Sequence, residues 1–204
     1  MTHNQAISSA PSVSIPIFED IRTSRLDLIA ITPESLHIQQ RNSTRMKAEL
    51  GAAIDAEVPS EWPPENWEPH VFDYLLNLFA ESSEAIGWCR YLALRHEKGR
   101  TLIGTVGSGF PKPDTGEAEI GYGILPSWQR NGYAPEAVAA MLPWLQSRRA
   151  IGAFVAQTFP HLRGSIRVLE KSGFQHIGPG FEEGTILFRK ECTDLASGSR
   201  PLPP

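Results

Sequence analysis

Apolar and polar positions switch period along the chain, and the switches outline its elements. Arg25-Leu26-Asp27-Leu28-Ile29-Ala30-Ile31 alternates as a strand does, and Thr32-Pro33-Glu34 then supplies an N-cap with proline at the first helical position. After the link Val58-Pro59-Ser60-Glu61-Trp62-Pro63-Pro64, the positions Val71, Leu75, Leu78 and Phe79 have helical spacing, and that helix is expected to end near Glu84. Three strands follow over Trp88 to Leu94, Thr101 to Phe110 and Glu117 to Leu125, with polar links at Glu97-Lys98-Gly99 and Pro113-Asp114-Thr115-Gly116, which predicts an antiparallel meander. Ala134 to Leu145 is Ala-rich and helical, Ala153 to Thr158 a short strand, and Gly164 to Lys171 a helix stopped by Gly173. Gln175 to Ile177 and Thr185 to Arg189 form a hairpin around Glu182-Glu183-Gly184. Strands first in a meander and then alternating with helices imply one α/β layer structure, a mixed sheet with helices on both faces.

The 204 residues suit a single domain with its own core. Its expected extent is 21–191, between a Ser/Pro-rich flexible segment at 1–20 and a flexible tail at 192–204. Met1 to Ser14 lacks the basic and apolar regions of a secretory signal, and no apolar run is long enough for a bilayer, so the reading is a soluble, cytoplasmic protein without membrane attachment. Cys89, in an apolar strand, and Cys192, in the polar tail, have no ligand-like neighbours, and no metal is expected. The net charge of −4 argues against nucleic acid as a partner. That charge is unevenly placed: between Ala48 and Cys89 there is no Lys or Arg but nine carboxylates, among them Glu57, Glu61, Glu65 and Glu68. Such a run is most often a solvated face, but it also draws cations.

The segment from Ile124 to Ala137 carries the chemistry. A strand ends, a tight loop containing Gly132 follows, and a helix begins. A helix start leaves backbone N–H groups unpaired at the positive end of its dipole, where a pyrophosphate can bind through main-chain donors; an ordinary helix N-terminus with a turn glycine is the other reading. Gly132 can take positive φ, and Ala134 places only a methyl near the phosphates.

Four blocks resemble the GNAT superfamily, specifically ribosomal-protein N-acetyltransferases and their relatives. Ile21-Arg22-Thr23-Ser24-Arg25-Leu26 is similar to the first-strand signature, and Glu119-Ile120-Gly121-Tyr122-Gly123-Ile124 to the fourth strand. Gln129-Arg130-Asn131-Gly132-Tyr133-Ala134 resembles the coenzyme loop, and Ser165 to Phe174 the second coenzyme helix and its exit. The resemblance implies a splayed, mostly antiparallel sheet with acetyl-CoA as cosubstrate. The pantetheine arm would lie between two parted strands, with backbone roles for Ile124 and Leu125. It also implies that the region holding Trp62 and Trp67 covers the acceptor, although both indoles could equally anchor a Pro-rich loop in the core.

Acetylation of an amine requires the neutral nitrogen, and a lysine-type amine is neutral only about once in two thousand molecules at pH 7. The resemblance makes Glu119 the candidate base; Glu117 shares its face by period two. The position where many relatives carry a tyrosine acid is Leu169, and Ser165 is the candidate donor to the leaving thiol, with helix capping as its other reading. The asparagine expected beside it is Leu162, while His161, Arg163 and Arg167 stand nearby. The functional expectation is acetyl transfer to a primary amine, a small cationic one or a protein N-terminus, by a monomer or homodimer. The alternative is a module of the same fold that binds acyl-CoA without turnover, which the departures at Leu162 and Leu169 suggest.

Overall fold

A computed structural model describes residues 19–192 apart from Asn42 and Asn66, so the segments expected to be flexible lie outside the described residues except at their edges. The chain forms β1 (Ile21–Arg22), β2 (Leu26–Ala30), α1 (Pro33–Gln40), α2 (Met46–Ile54), α3 (Pro69–Glu81), β3 (Cys89–His96), β4 (Gly99–Ser108) and β5 (Glu117–Ile124). Then come α4 (Tyr133–Arg148), β6 (Ala153–Thr158), α5 (Arg163–Lys171), β7 (Gln175–Pro179) and β8 (Ile186–Glu191). One eight-stranded sheet runs in the order β1-β2-β3-β4-β5-β6-β8-β7, antiparallel except between β5 and β6.

Local signals account for most boundaries. Thr32 caps α1: its hydroxyl accepts from Ser35 N, the Ser35 side chain returns the bond to Thr32 N, and Pro33 opens the first turn. Gly173, at φ +82°, ends α5. Helix α4 continues past the expected end at Leu145 to Arg148, carrying Pro143 inside it. Helix α2 was not visible in the sequence, because in a run of Ala and Gly it buries only Leu50 and Ile54, too few positions to show a period.

Helices cover both faces, as the element pattern predicts. On one face α1, α2 and α3 enclose Ile31, Leu36, Leu50, Leu75, Phe79, Tyr91 and Leu102. On the other, α4 and α5 lay Val138, Met141, Leu142, Leu145 and Leu169 against Leu28, Leu92, Ile103, Ile120, Phe154 and Phe188. Because cross-strand partners share a face, these clusters orient every strand of the sheet. Among the described residues no helix is long and apolar enough to cross a membrane.

Candidate active site

Strands β5 and β6 pair only over Glu117–Glu119 and Ala153–Val155. Beyond Glu119, β5 stays with β4 out to Ile124, and β6 stays with β8 out to Thr158. The two halves of the sheet therefore part, and the opening points at the loop between β5 and α4. Alternation decides which groups face it. Glu119 O accepts from Gly109 N and Leu125 N donates to Ile103 O, so the odd positions of β5 turn to β4, while Ile120, Tyr122 and Ile124 present their backbone groups to the opening. The Leu125 amide faces away, and the Ile124 carbonyl accepts from Gln129 Nε2 at 3.0 Å.

In the loop, Arg130 and Gly132 have left-handed backbones, φ +64° and +80°. Gly132 is the N-cap of α4 and contributes no side-chain cap. Among the described contacts, the backbone N–H groups of Arg130, Asn131, Gly132, Tyr133 and Ala134 meet no acceptor of the chain. Five donors thus gather at the start of a 16-residue helix, at the positive end of its dipole. Asn131 stays inside the loop, its Nδ2 donating to the carbonyls of Trp128 and Gln129.

A clamp from the far edge of the sheet holds this loop. Arg25 donates to the Asn131 carbonyl at 3.0 Å, stacks its guanidinium 4.5 Å over the Tyr133 ring, and binds Glu136 through Nε and a second nitrogen at 2.7 Å. Glu136 also accepts from Thr23 Oγ1, Ser24 Oγ and Arg25 N. Partial burial pushes its carboxyl up, but the hydrogen bonds from Thr23, Arg25 and Ser24 outweigh that and hold it at about 2. The first-strand block thus acts on the loop 106 residues away, a role its sequence did not reveal.

The face carrying α1–α3 holds the two glutamates. Glu117 forms an ion pair with Arg189 at 2.8 Å, whereas the Glu119 carboxylate has no hydrogen-bond or ion-pair partner among the described residues. On the same face, Cys89, Gly107 and Gly121 are cross-strand neighbours, and a Cβ built on Gly121 would meet nothing within 4 Å. Space therefore remains over the sheet beside Glu119. Tyr74 of α3 overhangs it: the ring is 55% exposed and the hydroxyl lies 3.3 Å from where a Gly109 Cβ would be. Partial burial, Cys89 and Glu119 push its phenol up. Burial pushes the Cys89 thiol up to about 12 against one backbone hydrogen bond from Ser108, which disfavours the thiolate form. The Gly-x-Gly pairs in Gly107-Ser108-Gly109 and Gly121-Tyr122-Gly123 were the available signal for this bare floor.

Ser165 lies on the opposite face, in the first turn of α5, with Oγ 3.1 Å from the Tyr122 hydroxyl. The structure therefore sets Glu119 and Ser165 on two sides of the opening and does not bring them into contact. Leu169 is fully buried in the core, while Leu162, Arg163 and Arg167 are exposed, and His161 stacks on Phe159. Trp62 and Trp67 are 3% and 8% exposed, and both indole N–H groups donate to the buried Gln39 Oε1 at 3.0 and 3.1 Å. They anchor the link before α3 from beneath. The acidic run is partly neutralised from outside: Arg41, Arg100 and Arg149 come within 3.9, 3.1 and 2.6 Å of Glu49, Asp55 and Glu84.

A family model described as an acetyltransferase (GNAT) domain matches residues 35–175, more than half of the chain. The chain is 26% identical over 154 residues to YjdG of Bacillus subtilis (strain 168), an uncharacterized N-acetyltransferase, covering 76% of this chain and 88% of that protein. The ribosomal-protein-S5-alanine acetyltransferase from Vibrio fischeri has the same fold at 17% identity, TM-score 0.59, over 86% of this chain and 98% of that one. So does the microcin C7 self-immunity acetyltransferase MccE, solved in complex with acetyl-CoA and AMP, at 14% identity, TM-score 0.54, over 83% and 93%. The chain belongs to the GNAT acetyltransferase family, whose model covers the point where the sheet splays and the loop before α4.

Proposed function

We propose that this acetyltransferase moves an acetyl group from acetyl-CoA to a primary amine, with Glu119 as base and Ser165 as donor to the leaving sulfur. The observation that carries the reading is the opening between β5 and β6, which ends at five N–H groups and has on its adjoining strand a carboxylate, all without a partner among the described residues. The pyrophosphate fits the donors of Arg130 to Ala134. The pantetheine arm fits the open edge of β5 at Tyr122 and Ile124 rather than at Leu125, whose amide is engaged. The acetyl-CoA complex of the fold neighbour MccE supports the same occupant.

The acceptor approaches from the α3 side, over Gly121 and under Tyr74. An ammonium has no lone pair, so Glu119, directly or through a water, takes the proton, and the freed nitrogen attacks the thioester carbon. The carbon–sulfur bond then breaks with its electron pair on sulfur, where Ser165 donates a hydrogen bond from the other face, and the second proton shed by the nitrogen passes through water to the thiolate to give the free thiol. A positioned base of this kind contributes about 10²–10⁴-fold. Glu57, Glu65 and Glu81 are exposed and carry no ion pair among the described residues, which favours a cationic amine or a basic protein N-terminus.

The second reading, acyl-CoA binding without turnover, is favoured by Leu162 and by the burial of Leu169. Incubation with acetyl-CoA and a panel of amines and N-terminal peptides, followed by free thiol, separates the two. Thiol release with particular cationic acceptors, at a rate that falls with ionic strength, supports transfer. Bound acetyl-CoA without release in any mixture contradicts it.

A further inference from the structure

The Tyr122 side chain leaves β5 just beyond the point where the sheet parts and reaches the first turn of α5. Its hydroxyl oxygen lies 3.1 Å from the Ser165 carbonyl oxygen and 3.1 Å from Ser165 Oγ. A phenol has one proton to donate and a serine hydroxyl has one. Two arrangements of these protons satisfy the contacts. In the first, Tyr122 donates to the Ser165 carbonyl and Ser165 donates to the Tyr122 oxygen, which leaves no hydroxyl proton for any third group. In the second, Tyr122 donates to Ser165 Oγ, and the Ser165 proton is free to turn outward.

Resting on the reading of Ser165 given above, we propose that Tyr122 is the positioning residue that converts Ser165 into a donor. As charge gathers on the sulfur, the Tyr122 hydroxyl rotates from the carbonyl to Oγ, and the serine turns its own proton to the sulfur. No proton changes owner in this step: the carbon–sulfur pair goes to sulfur, and both hydroxyls keep their hydrogens. A chain of two hydroxyls polarises along its length and spreads the thiolate charge further than one serine can. Burial suits Tyr122 to the task. It pushes the phenol up to about 12, with the Ser165 hydrogen bond pulling the other way, so the group is a neutral donor at working pH. The Ser165 carbonyl keeps an acceptor role in the ladder of α5 whichever way the phenol turns.

The test is the pKa of the thiol of bound CoA, read from thiolate absorbance during a pH titration of the complex, and it needs no turnover. The variants are Tyr122→Phe, Ser165→Ala, the double variant, and a protein with 3-fluorotyrosine at position 122, isosteric but a stronger donor. The wild-type complex should titrate below free CoA, Ser165→Ala should lose that depression, Tyr122→Phe most of it, and the double variant no more than Ser165→Ala. Fluorotyrosine should deepen the depression, a response that a mere brace between β5 and α5 would not give, and it keeps the test open if Tyr122→Phe fails to fold. Tyr122→Phe and fluorotyrosine proteins that both titrate with the wild type, while Ser165→Ala does not, overturn the role of Tyr122 alone. A Ser165→Ala complex that titrates with the wild type removes the reading of Ser165 beneath it.

Discussion

Arg25 and Glu136 are joined through two guanidinium nitrogens at 2.7 Å, and this pair ties the β1–β2 turn to the first turn of α4, the helix whose start is the proposed phosphate site. Glu136 also sits at the positive end of α4, where a carboxylate is favoured. The pair sets where the five loop donors point, because Arg25 grips the Asn131 carbonyl and the Tyr133 ring with the same group.

Removing the grip should loosen the loop more than it loosens the fold. Arg25→Ala is expected to weaken acetyl-CoA binding by about tenfold, with Glu136→Gln weaker in effect because it keeps a hydrogen-bond acceptor. Calorimetric titration checks this; wild-type affinity in folded Arg25→Ala contradicts the clamp.

The depressed carboxyl of Glu136 also sets a pH dependence. Its folded value of about 2 lies below the ordinary 4.5, so the stability it contributes is fully present above about pH 4.5 and is lost as pH falls toward about 2. Denaturant unfolding across that window should show the wild type losing stability more steeply than Glu136→Gln, which has no proton to take up there. Parallel curves would assign the acid sensitivity to other carboxylates.

Glu119 and Glu117 make a contrast that turnover can read. Glu119→Gln should keep acetyl-CoA affinity and lower turnover at least about tenfold near neutral pH, the loss shrinking at high pH where the amine is already neutral. Glu117→Gln breaks the ion pair with Arg189 and should change turnover by no more than about twofold. A pH–rate profile of both variants decides it, and wild-type turnover in Glu119→Gln clears that residue.

What could be read in advance was local. The cap at Thr32, the stop at Gly173 and the period-two strands of the meander are written in adjacent residues, and the loop around Gly132 follows from a strand end, a glycine and a helix start. What could not be read is long-range or ambiguous in type. Nothing near Arg25 in the chain names Glu136 as its partner, and nothing near Ser165 names Tyr122. Trp62 and Trp67 carry the same letters whether they wall a pocket or bury themselves. Gln39, a polar residue on α1, accepts from both indoles and so seats them inside. The two glutamates of β5 look equivalent at period two, and only Arg189, brought alongside by β8, distinguishes them.

The most direct measurement is a calorimetric titration of acetyl-CoA into the wild type and Gly132→Val. At φ +80° a β-branched side chain is strained, and its Cβ would lie 3.5 Å from the Arg25 guanidinium that steadies the loop. The account predicts one site in the wild type and at least about a hundredfold weaker binding in a folded Gly132→Val, because the donors of Arg130 to Ala134 can no longer converge. Equal affinity in the two proteins would place the phosphates elsewhere and contradict it.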